Sequence, residues 1–217
     1  MDILDLDSPV VLYVTDAYCG WCWGFSERLG QLEAANRGKV RFSAISGGLF
    51  VGPKVGSVSD YPHIPEANAR ISRITGAVFG QGYQALLEEG STIMNSEHAG
   101  MALAALRAQA PERAIHWAHE LQQAFYRDGL SLSEPATLAS IAGANGLDVQ
   151  KVLESFTNGT AWADAERDFA LAKELGVTSY PTLLFLQGGE VHRLPGTGTA
   201  LSVLNEELHQ LLAASHA

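Results

Sequence analysis

The chain has 217 residues, 47 % of them hydrophobic and 18 % charged, with 24 acidic against 14 basic side chains and a formal net charge of -10. That length suits one large domain or a core domain carrying an insertion. The acidic balance repels polyanions and excludes nucleic acid as an expected partner, and the apolar runs fall far short of the roughly 20 residues that cross a bilayer, so a soluble chain with no membrane partner is expected.

Met1 to Asp7 carries three acids, Asp2, Asp5 and Asp7, where a secretory signal carries positive charge, and no small-residue cleavage site follows an apolar stretch. A cytoplasmic location is the expectation, with a trimmed exported form as the alternative. Pro9 to Thr15 is apolar and β-branched, the composition of a strand buried on both faces. After Cys19, Phe25, Leu29 and Leu32 recur at spacings of four and three, which predicts a helix with one apolar face, ended by Asn36 and Gly38. Lys39 to Ser46 alternates polar with apolar residues, so the opening reads strand, helix, strand, an order that favours a parallel pair.

Gly47 to Pro65 has the Gly, Ser and Pro content of a loop and marks a boundary. Residues 66–155 show helical patterns with no strand among them. Ile115, Ala118, Leu121 and Phe125 share one face, Ser133 with Pro135 starts another helix, and Asp148 caps a third around Val152 and Leu153. The next helix, from about Ala161 to Leu175, presents Trp162, Ala165, Phe169 and Ala172 on one side and stops at Gly176. Leu183 to Leu186, the Gly188-Gly189 turn and Val191 to Leu194 form a hairpin, and Leu201, Leu204, Leu208 and Leu211 mark a last helix. The pattern is α/β, with residues 1–65 and 156–217 forming the sheet-bearing part and 66–155 an inserted helical subdomain.

The only two cysteines, Cys19 and Cys22, lie too close in sequence to staple distant segments, so their use must be local. Cys19-Gly20-Trp21-Cys22 falls at the junction of the first strand and helix, where free amides and the helix dipole favour a thiolate at Cys19. A thiolate attacks a disulfide, and a second thiol one turn away can resolve the mixed disulfide, which suits Cys22. Inert buried thiols or half of a mixed Cys/His metal site are the competing readings; a four-thiolate site would need two more cysteines. Pro181, in Thr178-Ser179-Tyr180-Pro181-Thr182, opens a strand, where a missing amide hydrogen is tolerated.

A CxxC after the first strand and a Pro-Thr opening a strand after a helical insert resemble the DsbA-like branch of the thioredoxin superfamily, including the FrnE-type disulfide isomerase-like proteins. The resemblance is most specific over Tyr18 to Phe25 and Gly176 to Thr182, and looser over Asn95-Ser96 with Ala102, Phe125 to Gly129 and Ile141 to Asp148. It implies a thioredoxin-like fold with a large all-helical insertion and a protein disulfide oxidoreductase or isomerase. Cys19 would be the exposed nucleophile and Cys22 the resolving thiol. Pro181 would be a cis-proline facing the dithiol, with Tyr180 and Trp21 beside it as substrate-binding residues. Expected partners are disulfide-containing or dithiol proteins and an unidentified redox partner; no cofactor beyond the cysteine pair is expected, with glutathione as the candidate co-substrate. Two departures stand out. Gly20-Trp21 replaces the Pro-His of the strong oxidants, and Tyr13 stands where relatives often have a buried acid, leaving Asp16 as the nearest carboxyl.

His116 and His119, at i and i+3, are close enough to share a metal, but lack a third ligand nearby and read as polar surface residues, so no metal is expected. Gly196-Thr197-Gly198-Thr199 lacks a phosphate-binding lysine and reads as a helix-capping turn. Trp21 and Trp23 can rim a polypeptide site, whereas Phe25 reads as core. The principal alternative function is a glutathione-dependent transferase or isomerase of the kappa-class or hydroxychromene-carboxylate isomerase type, which usually keeps one Ser or Cys in place of the pair.

Overall fold

The computed structural model describes residues 8–214, so the acidic segment Met1 to Asp7 lies outside the described residues. In chain order the elements are β1 (Val10–Thr15), α1 (Gly20–Ala35), β2 (Arg41–Ser46), β3 (Gly56–Ser57), α2 (Ile64–Thr75), α3 (Gln81–Glu89), β4 (Ile93–Met94), α4 (Ser96–Gln109), α5 (Ala114–Tyr126), α6 (Pro135–Ala144), α7 (Val149–Thr157), α8 (Thr160–Glu174), β5 (Thr182–Gln187), β6 (Glu190–Leu194) and α9 (Leu201–Ala214).

The main sheet has the order β2-β1-β5-β6. β1 pairs parallel with β2, Val10 beside Arg41 through Thr15 beside Ser46, and antiparallel with β5, which turns at Gly188-Gly189 into β6. All six residues of β1 are buried because both faces of the sheet are covered. Val10, Leu12, Val14 and Ile45 pack with Leu184 and Leu186 against Ala172 of α8. The opposite face sends Val11, Tyr13, Phe42 and Phe185 into a larger core with Phe25 and Leu29 of α1, Trp117 of α5 and Leu204 of α9. That core runs without a break into α2 to α7, so the helical segment shares its apolar interior with the sheet.

Three local expectations change. β4 falls inside 66–155, where only helices are expected, and pairs antiparallel with β3. A ladder of two residues per strand leaves no alternation to read. Helix α6 is capped at Glu134 in place of Ser133, with Pro135 inside its first turn, whereas Asp148 does cap α7 by accepting from the Lys151 amide at 3.2 Å. On α8 the buried stripe is Ala161, Ala165, Asp168 and Ala172, with Trp162 and Phe169 only half-buried at its border.

Asp168 is buried because it closes the open edge of the sheet. Arg107 of α4 grips it with two bonds of 2.9 and 2.8 Å and also donates to the Ala44 carbonyl, while the Ser46 amide donates to Asp168 at 3.1 Å. These two backbone groups point away from β1, and without the ion pair they would be buried and unpaired.

Candidate functional site

The site is built where β1 gives way to α1. Asp16, fully buried, accepts from the Tyr18 amide at 3.0 Å and the Leu49 amide at 2.8 Å, tying the turn to the loop after β2. The Cys19 amide donates to the Asp16 carbonyl, and Cys19 is the N-cap of α1, with the Cys22 and Trp23 amides on its carbonyl at 2.9 and 3.1 Å. Helical spacing then sets Cys22 one turn on and on the same face. Both are free thiols.

Pro181 arrives from the far end of the chain. The Tyr180-Pro181 bond is cis, as the resemblance implies, and the Cys19 Sγ donates to the Tyr180 carbonyl at 3.5 Å, across 161 positions of sequence. The Tyr180 hydroxyl donates to the Gly47 carbonyl. Gly47 has to be glycine here, since any Cβ would fall inside the Tyr180 ring. Trp21 is half-buried with the Arg70 guanidinium 5.6 Å from its ring centre, and its carbonyl accepts from Thr197 at 3.2 Å. The Gly196 to Thr199 turn that precedes α9 therefore braces the site.

Cys19 is less open than its expected role as exposed nucleophile suggests. It is 6 % exposed and Cys22 0 %. Gly20 and Gly24 let α2 lie across α1 with Ile71 in contact; a Cβ on Gly20 would stand 2.9 Å from Ile71 Cδ1. The expectation of a Cys19 thiolate changes with it. Its hydrogen bond with the Cys22 side chain, then burial, then charge on Cys22 push the Cys19 thiol well up, and the end of α1 acts in the opposite sense. Both the Cys22 hydrogen bond and burial thus oppose ionisation of Cys19, whose Sγ lies on the Tyr180 carbonyl.

The surroundings are aromatic and weakly acidic. Burial pushes the hydroxyls of Tyr13 and Tyr126 well up, with the charges of Cys22 and Cys19 adding to it, and raises the Asp16 carboxyl against the pull of its amide donors. Asp16 has both oxygens taken by backbone amides, so it braces the turn. Tyr13, which takes the place of the buried acid of relatives, and the fully buried Gln122 of α5 join the site; Gln122 carries a visible signal in the sequence as a polar residue inside an otherwise apolar helical stripe.

His116 and His119, expected on the surface, are half-buried and meet different neighbours. His116 meets Asn145 at 2.7 Å, whereas His119 stacks on Trp23 with ring centres 5.6 Å apart. No group of three or more His, Cys, Asp or Glu side chains able to hold a metal occurs among the described residues. Phe25 is core, as expected, and Trp23 is half-buried with its indole donating to the Val78 carbonyl at 3.2 Å.

A dithiol at the N-terminus of the first helix, held against a cis proline that opens a central strand, defines the thioredoxin-like class. A family model described as thioredoxin matches residues 12–194, and the chain belongs to that family. No curated protein matches the sequence. Among solved structures, a provisionally assigned protein disulfide isomerase from Nitrosomonas europaea superposes with TM-score 0.82 at 18 % identity, over 96 % of this chain and 99 % of that one. The cytosolic disulfide reductase DsbM from Pseudomonas aeruginosa gives 0.80 at 22 % identity, over 94 % and 99 %, and its structure with GSH gives 0.76 at 23 % over the same shares. At such identities the likeness is one of fold.

Proposed function

We propose that the protein is a thiol-disulfide oxidoreductase in which Cys19 attacks a substrate disulfide and Cys22 resolves the mixed disulfide. The observation that carries this reading is the Cys19 Sγ on the Tyr180 carbonyl, with Cys22 one turn behind it. An extended substrate segment that pairs with the Tyr180 backbone competes for that carbonyl, releases the Cys19 proton, and leaves the helix end to stabilise the thiolate as it attacks. Pro181 and Tyr180 then hold the substrate backbone and Trp21 flanks it. In this reading the sheet-bearing part, residues 1–65 and 156–217, carries the chemistry, and the inserted 66–155 segment packs against α1 through α2.

The substrates are proteins carrying disulfides or dithiols, the compartment is the reducing cytoplasm, and glutathione is the small thiol that regenerates the pair. A cytosolic reductase of the same fold, also solved with GSH, supports both of the last two assignments. The glutathione-dependent transferase or isomerase is not favoured, because it has no use for a second thiol one turn from the first. The test is reduction of insulin disulfides with glutathione as electron donor. Turnover is expected from the native protein and none from Cys19→Ser; retained turnover in that variant would overturn the assignment.

A further inference from the structure

Release of substrate requires Cys22 to act as an anion at a position buried from solvent. Cys22 is 0 % exposed, and among the described residues the carboxyl that acts on the dithiol, Asp16, has both oxygens occupied by backbone amides. A buried anion needs a hydrogen-bond donor.

We propose that the Tyr13 hydroxyl is that donor: it turns to the Cys22 sulfur during the release step, held in place by Gln122. The inference rests on the thiol-disulfide reading above. Tyr13 is 1 % exposed and lies on the sheet face beneath α1. Its hydroxyl donates to the Cys22 carbonyl at 3.5 Å, the outer limit for such a bond, so little holds it there. The side chains of Thr15 and Gln122 lie near it and lower its value, while the charges of Cys22 and Cys19 raise it. Gln122 donates to the Thr15 hydroxyl at 3.1 Å, and its Oε1 is buried without a partner. The Tyr13 hydrogen is therefore committed to no strong acceptor, beside the hydrogen-bonded Gln122-Thr15 pair. Burial also keeps this phenol protonated, so it acts as a donor and not as a base.

The step balances without any further reagent. Cys22 gives its proton to solvent as substrate opens the site; its thiolate attacks the Cys19 sulfur, the Cys19-Cys22 disulfide forms, and the substrate sulfur leaves with the electron pair and takes up a proton. The Tyr13 hydrogen bond is made to the attacking sulfur only while that sulfur is charged. The titratable groups facing the dithiol are Asp16 just after β1, Tyr126 of α5 and Tyr180 ahead of β5, with Tyr83 of α3 behind Tyr126.

The test uses the full chain and dithiobis(nitrobenzoate), which releases one thionitrobenzoate when Cys19 attacks and a second when Cys22 resolves the adduct. In Tyr13→Phe the second phase is expected to slow about tenfold relative to the first, and the pH midpoint of the second phase to rise by about one unit, the scale of one charge-assisted hydrogen bond. A merely structural role would lower the melting temperature and leave that midpoint in place. Gln122→Met, which keeps the phenol but frees it, is the second variant and is expected to shift the same midpoint by less. Unchanged second-phase midpoints in both variants would overturn the inference alone. Absence of the first phase in the native protein would overturn the thiol-disulfide reading and the inference with it.

Discussion

Replacing Arg107 with methionine tests whether the ion pair at the edge of the sheet holds the fold together. Asp168 is 1 % exposed and the Arg107 side chain 10 %, so solvent screens the pair little. Arg107→Met keeps most of the aliphatic stem but strands a buried carboxylate with only the Ser46 amide, and leaves the Ala44 carbonyl unpaired. Removing one partner of a buried pair costs about 3–5 kcal/mol. At roughly 2–4 °C per kcal/mol for a chain of this size, the melting temperature should fall by about 6–20 °C. A double variant, Arg107→Met with Asp168→Leu, should recover part of that loss, because no charge is then left buried. The single variant should also acquire a pH slope. Burial already raises the Asp168 carboxyl, opposed by Arg107 and the Ser46 amide; without Arg107 it rises further. Between the unfolded and folded values the native state binds more protons, so stability is gained as pH falls and lost as it rises through the folded value. Urea melts between pH 4 and pH 8 report both effects, taking roughly this range to bracket a raised carboxyl. A loss under about 1 kcal/mol with no slope would refute the argument, since it would mean that the pair contributes no more than an exposed one.

Cys22→Ser should trap a mixed disulfide between Cys19 and a model disulfide, seen as an added mass that dithiothreitol removes; free turnover in that variant would deny Cys22 its resolving role. Gly47→Ala should displace the Tyr180 ring, costing about 1–3 kcal/mol of stability and most of the insulin-reducing activity while both thiols remain titratable. Burial lowers the His119 value, so below its unfolded pKa the unfolded chain binds more protons and stability should fall as pH drops through that window. His119→Gln should flatten this part of the profile in urea melts, and an identical profile would remove His119 as its source.

Short-range pattern determined much of this protein before any folding. The alternation and β-branching of residues 9–15 and 39–46, the helical spacing of Phe25, Leu29 and Leu32, and the glycine pair at 188–189 each lie within one element, so period and turn chemistry suffice to read them. The redox pair was legible for the same reason, since one helical turn separates Cys19 from Cys22. Pro181 was legible only through resemblance, because nothing local links a late proline to an early cysteine. What folding decided are the contacts between residues far apart in sequence, which leave no periodic trace: Tyr180 on Cys19, Thr197 on Trp21, Gln122 on Thr15, and Arg107 with Asp168 across the edge of β2. The closure of the site belongs to this second group. Residues 19–22 place a thiol at a helix end, which favours its ionisation, and set Cys22 beside it, whose hydrogen bond opposes it; the burial that adds to that opposition comes only with folding, because the cost of a buried charge is set by the environment that the whole chain assembles.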